Sequence, residues 1–97
     1  SGLGLGDVYK RQIISMNPSG VNDKGTVVGS IVTQGSGRNR HYHAFIIKNG
    51  EFHYVDDLPG MPSDVTLVSA IGIDAKDQLV CNGTAGMRRN LYAVQLK

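Results

Sequence analysis

From Ile13 onward, apolar and polar positions alternate in short runs, and turn residues interrupt them at intervals of about ten residues, the spacing of an all-β fold. The first hairpin is expected to turn at Asp23-Lys24-Gly25. Asn and Asp open such turns by bonding their own backbone, and Gly accepts the positive φ that closes them. Thr26–Thr33 then reads as a strand whose two faces, Val27/Gly29/Ile31 and Val28/Ser30/Val32, are both apolar, which predicts cover on both sides. After a polar loop over Gln34–Arg40, a third strand is expected at His41–Ile47, and Lys48-Asn49-Gly50 closes the next hairpin. Glu51–Leu58 alternates, with Phe52, Tyr54 and Leu58 on one face and Glu51, His53 and Asp57 on the other. That is the pattern of a half-exposed outer strand.

The pattern then starts again. Gly20–Ser30 (GVNDKGTVVGS) reappears, eroded, as Gly72–Asn82 (GIDAKDQLVCN), 52 positions later. Self-similarity at a fixed period marks a repeat architecture. Val65–Ile73 should form a strand with small residues Ser69, Ala70 and Gly72 near its end, suited to a crowded position. Asp77 stands where Gly25 stood, and Asp tolerates the left-handed conformation that this place requires. Asn90–Gln95 matches His43–Lys48, and no counterpart of Glu51–Leu58 follows. The expected fold class is all-β, with antiparallel four-stranded units like propeller blades and an incomplete second unit. Residues 1–12 form a leader, 13–60 the first unit and 61–97 the second, truncated one. Within the leader, Leu5–Gln12 resembles a translated adaptor or vector tail. The alternative is a natural disordered entry segment.

Particular residues sharpen the pattern. Asn22-Asp23-x-Gly25-x-Val27-Val28-Gly29, His43-Ala44-Phe45, Asn49-Gly50 and Leu58-Pro59-Gly60 together resemble the HAF repeat, a bacterial extracellular repeat named for its His-Ala-Phe core. The resemblance covers nearly all of 20–60. It is weaker over 65–96, where Asn90-Leu91-Tyr92 stands in place of the HAF triplet and Cys81 in place of Gly29. It implies a secreted or surface protein with several stacked repeats in one chain. It also implies structural roles for Asn22, Asp23, Gly25, Gly29, His43, Ala44, Phe45 and Gly50, with no catalytic site and no cofactor.

Composition narrows the chemistry. A formal charge of +2 with well-mixed signs points to neither nucleic acid nor membrane, and no apolar run approaches the roughly 20 residues of a spanning helix. The single Cys81 lies in an apolar run and reads as a buried thiol. His41 and His43 share a strand face, and His53 could join them as a metal ligand only if a three-residue turn set the register. A two-residue Asn49-Gly50 turn would pair Ile46 with His53 and turn His53 away. The plainer reading makes His43 a structural residue bonded to backbone or to Asp56. Asp56 and Asp57, being adjacent on an expected strand, should point to opposite faces and form no catalytic carboxylate pair. The Asp-rich turns suit calcium in chemistry but match no calcium-loop spacing.

One surface feature recurs. Arg38 and Arg40, next to His41, occupy the loop between the second and third strands of the first unit, and Arg88 and Arg89 occupy the corresponding place in the second. If the units stack, these guanidinium groups share a rim that suits carboxylates or sulfates on an acidic polysaccharide or protein. The leading expectation is a non-enzymatic extracellular scaffold or binding surface. The alternatives are a portion of a larger propeller enzyme, for which only Asn22 and Asp74 hint at channel-facing polar groups, and a glycan-binding module using the basic rim.

Overall fold

A computed structural model describes residues 13–34, 40–61 and 63–96. They form two open antiparallel sheets. The first has four strands in the order β1 (Ile13–Val21), β2 (Val27–Gln34), β3 (Arg40–Lys48) and β4 (Glu51–Tyr54). The second has three, β5 (Thr66–Ile73), β6 (Gln78–Ala85) and β7 (Arg88–Gln95). The strand and turn pattern of the sequence is therefore realised as an all-β chain, with every sheet neighbour also a neighbour in sequence.

At an offset of 52 residues the two sheets share details finer than strand order. Gly20 pairs with Val28 and Gly72 with Val80, and in both sheets the register slips by one residue just before the glycine, leaving Ser19 and Ile71 as bulges. A bulge adds a residue to one strand and increases local twist. Here it brings β1 and β5 together at their smallest residues. A Cβ placed on Gly20 would lie 3.3 Å from Gly72 Cα, so Gly20 is held small by the crossing of the two strands, whereas a Cβ on Gly72 would meet no atom within 4 Å. Gly29 is held more tightly still. Its added Cβ would meet the backbone of Asn17 and come within 2.7 Å of Pro18 Cα on β1.

The main core lies between the sheets, where β5 packs over β1, β2 and β3. Val28, Ala44, Ile46 and Val55 of the first half meet Leu67, Ala70, Leu79, Cys81 and Val94 of the second. Burial of a side chain the size of Leu67 or Leu79 contributes about 1.5–3 kcal/mol, so this layer supplies most of the drive to pair the sheets. The other face of the first sheet carries a second cluster, Ile31, Phe45 and Tyr54, flanked by Val27, Ile47 and Phe52. Phe45 stacks on Phe52 at 5.7 Å, and Tyr54 meets Phe52 edge-on at 5.3 Å. Apolar residues on both faces of β2 are thus buried on both faces, as its pattern predicts.

The outer strand is shorter than its alternation suggests. β4 ends at Tyr54, and Val55–Asp57 form a single 3₁₀ turn instead of continuing to Leu58. Two demands explain the break. Val55 is wholly buried in the core between the sheets, and the Asp56 carboxylate accepts the Leu67 backbone N–H through both oxygens at 3.2 Å. A straight strand of Glu51–Leu58 could not tie the entry of β5 in this way. Asp56 and Asp57 accordingly do not alternate across a strand. They lie on one tight turn, and burial raises the Asp56 pKa above its ordinary value, with the Leu67 bond pulling the other way and the Asp57 charge adding to the rise.

Candidate functional site

The polar residues of the chain concentrate where the two first turns meet. Asn22 Oδ1 accepts the N–H groups of Lys24 and Thr26, each at 3.1 Å, and so closes the β1–β2 turn on itself. Asp74 does the same one unit later, its Oδ1 accepting from Lys76 and Gln78, each at 2.9 Å. These are the backbone-bonding turns that Asn and Asp favour. Gly25 takes φ +80° at the end of the first turn and Asp77 takes φ +61° at the end of the second, as the substitution of one for the other predicts.

The exchange of Gly for Asp has a consequence that strand patterns do not carry. Asp77 is 5% exposed, and its carboxylate joins the two turns. Asn22 Nδ2 donates to Asp77 Oδ1 at 2.7 Å and to the Asp74 carbonyl at 3.1 Å. The ammonium groups of Lys48 and Lys24 reach Asp77 Oδ2 at 3.0 and 3.4 Å. The Lys48 bond, with help from Asn22 and the charge of Lys24, holds the Asp77 carboxyl below its usual range against the opposing effect of desolvation. Two cations around one buried carboxylate leave no place for a third. The turn that calcium chemistry might have used is therefore a lock between sheets. Asn22 and Asp74, the two residues that hint at a polar channel, each have Oδ1 committed to the turns.

The histidines separate. Lys48 pairs with Glu51 across a two-residue turn in which Asn49 and Gly50 both have positive φ, at 53° and 79°. This is the turn that matches the twist of a hairpin. It pairs Ile46 with His53 and Phe45 with Tyr54, so His53 lies on the face opposite His43. His43 instead meets the Tyr54 ring edge-on at 5.1 Å, with His41 at 6.4 Å beyond it. The Asp56 carboxylate accepts the Leu67 N–H. Ala44 and Phe45 of the same triplet are buried on opposite sides of β3.

Of the rim residues, Arg38 lies outside the described residues. Arg40 and His41 open β3 and Arg88 and Arg89 open β7, all four exposed. Each pair sits at the end of its sheet opposite the locked turns. Strand alternation divides the residues. Arg40 shares a face with Ala44 and Ile46, and Arg88 with Tyr92 and Val94, so both look into the gap between sheets, whereas His41 and Arg89 look away from it. None of the four enters an ion pair among the described residues.

One group that chemistry could recruit, Cys81, is inert. Burial pushes the Cys81 thiol up to about 11, and the charge of Asp56 adds to the shift, so a nucleophilic thiolate is scarce at neutral pH. A cavity of about 210 Å³ opens between the β3–β4 hairpin and the end of β7. Its walls include Ile46, His53, Leu58, Met61 and Leu96, and no cluster of three or more potential metal ligands occurs among the described residues. No helix among those residues is long and apolar enough to cross a membrane.

Compared with protein families, with curated proteins and with solved structures, the chain matches none.

Proposed function

We propose that this chain is a non-enzymatic β-repeat scaffold whose units, of the HAF kind, stack like propeller blades in an extracellular or surface protein. The observation that carries this reading is the Asn22–Asp77 lock. The polar side chains best placed for chemistry are consumed in joining one sheet to the next, and the joined turns stand at the same position of each unit. Stability in such an array is a sum of unit terms and neighbour terms, so it should rise with copy number. The test is denaturant unfolding of the chain beside a tandem of two copies of residues 13–96. A higher midpoint in the tandem supports the reading, and equal midpoints with two independent transitions refute it.

A second reading rests on the exposed guanidinium groups of Arg40, Arg88 and Arg89, which form no ion pair among the described residues and suit an acidic polysaccharide. Binding of the chain to heparin or polygalacturonate should fall steeply with salt and with Arg40→Ala/Arg88→Ala. Binding insensitive to both would remove the rim from consideration.

A further inference from the structure

Charges that are well mixed over the whole chain are not mixed in the β6–β7 hairpin. From Gln78 to Gln95 there is no Asp or Glu, and the only charged residues are Arg88 and Arg89, beside the turn. The other described hairpin turns are polar, and each carries both signs. Asp23 and Lys24 make the first, Lys48 and Glu51 flank Asn49-Gly50, and Asp74, Lys76 and Asp77 make the turn from β5 to β6. The β6–β7 turn alone among them has a large apolar side chain at its apex. Ala85 pairs with Arg88, so Gly86 and Met87 are the whole turn, and Gly86 takes φ +63°. A two-residue turn that begins on Gly matches the twist of a hairpin. Met87 is fully exposed and belongs to neither core cluster.

The two arginines are placed to act with it. Being successive on a strand, Arg88 and Arg89 lie on opposite faces of the hairpin, one on each side of the apex. Both are exposed, and neither enters an ion pair among the described residues. Leu91, also mostly exposed, shares the face of Arg89. One exposed apolar side chain is ordinary on a protein surface. Here it coincides with cations of a single sign on both flanks and with a turn too short to lose much freedom on binding. The eight residues of β6 separate this tip from the locked turns by about 25 Å, so it can be altered without touching the lock. An acidic polysaccharide would answer the arginines but has no place for Met87. The boundary of an anionic bilayer answers both, with phosphates for the guanidinium groups and acyl chains for the thioether.

We propose that the tip of the β6–β7 hairpin is a contact site for an anionic lipid surface, with Met87 entering the boundary between headgroups and acyl chains and Arg88 and Arg89 pairing with headgroup phosphates on either side. Nothing crosses the bilayer in this contact. One apolar side chain and two cations give a weak and reversible hold, since stable anchoring takes stronger signals, and several tips on one particle would add to one another. The contact goes beyond the scaffold reading, and it shares only Arg88 and Arg89 with the basic-rim reading.

The probe is a vesicle of equal parts phosphatidylserine and phosphatidylcholine, with phosphatidylcholine alone as the control. The chain has no Trp, so Met87→Trp puts a single fluorescent reporter at the apex, where it meets no core. Its emission should move to the blue on the anionic vesicles and be quenched by lipids brominated in their acyl chains. Neither change should occur on phosphatidylcholine alone, or with Val21→Trp, whose reporter stands beside the locked turns. Flotation of the natural chain should show binding that fades with salt. Met87→Ser should weaken it about tenfold, the ratio for losing one large apolar side chain. Arg88→Gln and Arg89→Gln should each weaken it about fivefold. No binding at about 10 mM lipid, about a hundred times what a single acyl chain needs, would overturn the assignment. So would equal binding by Met87→Ser, or a Met87→Trp reporter that stays in water on bound vesicles. Binding to heparin without binding to vesicles would overturn it too, while leaving the basic-rim reading in place.

Discussion

Asp77 offers the sharpest test of how the two sheets are joined, because its backbone and its carboxylate pull in different directions. Its φ of +61° is a conformation that Gly adopts without penalty, and Gly stands at this place in the first turn. A backbone argument alone therefore makes Asp77→Gly stabilising, by up to about 1 kcal/mol. The carboxylate argues the reverse. It accepts the 2.7 Å bond from Asn22 and the 3.0 Å bond from Lys48, and bonds to charged groups are worth about 1.5–3 kcal/mol where they are shielded. Lys24 is more than half exposed and adds little beyond this, as surface ion pairs do. The net expectation is that Asp77→Asn costs about 1–2 kcal/mol, Asp77→Gly somewhat more and Asp77→Ala about 3–4, since Ala loses the carboxylate and keeps the strain. For a chain of this size each kcal/mol moves the melting temperature by about 4–8 °C, so calorimetry resolves the series. The pH dependence gives a second check. A folded-state pKa below the unfolded value of about 3.9 contributes stability that is complete above that value and lost as pH falls through the folded one. The gap between the natural chain and Asp77→Asn should therefore narrow as pH falls below about 4 and close once the pH lies below the lowered folded-state value, where both side chains are neutral. If Asp77→Gly is as stable as the natural chain, or the gap with Asn does not narrow as pH falls below about 4, the lock does not hold the sheets and the reasoning fails.

Three further outcomes follow from the same geometry. Gly29→Ala drives a methyl group into the Asn17–Pro18 backbone and should cost at least about 2 kcal/mol in urea unfolding, whereas Gly72→Ala, whose added methyl meets no atom within 4 Å, should cost under about 1 kcal/mol. Cys81 should resist iodoacetamide at pH 8 in the folded chain and react at once in 6 M urea. Its raised pKa makes the folded state lose stability as pH climbs from about 9 to about 11, a loss that Cys81→Ala should remove. Asp56→Ala strips the acceptor from the Leu67 N–H and should destabilise by about 1–3 kcal/mol. Because the Asp56 pKa is raised, the stability linked to its protonation is present below the unfolded value and lost as pH rises through the folded one. Acid titration of unfolding for Asp56→Asn should therefore shift in the sense opposite to Asp77→Asn.

Much of the strand arrangement was legible in local chemistry. Strand positions follow from alternation and from turn residues, because a two-residue side-chain period and a positive φ are properties of single residues and near neighbours. Thus Asn22 and Asp74 announce their turns, Asp77 its left-handed backbone, and the two-sided apolar pattern of β2 its double burial. The Asn49-Gly50 pair left two registers open. The ladder selected the one in which both residues turn, and that choice separated His53 from His43.

What only the tertiary structure decided are contacts between residues distant along the chain. No local rule says that Val55 must enter the core between the sheets or that Asp56 must reach Leu67, and these demands end β4 four residues early. Nor does any local rule say that the Asp replacing Gly25 would bring Asn22 and Lys48 onto its carboxylate. The echo at Gly20 and Gly72 placed the same turn chemistry in both sheets. The packing of the two sheets set Gly20 against Gly72 Cα and left a cavity between the β3–β4 hairpin and Gln95–Leu96. The physical reason is the range of the forces. Backbone preference and turn bonding act within a few residues, while burial and ion pairing depend on which surfaces the folded sheets bring together.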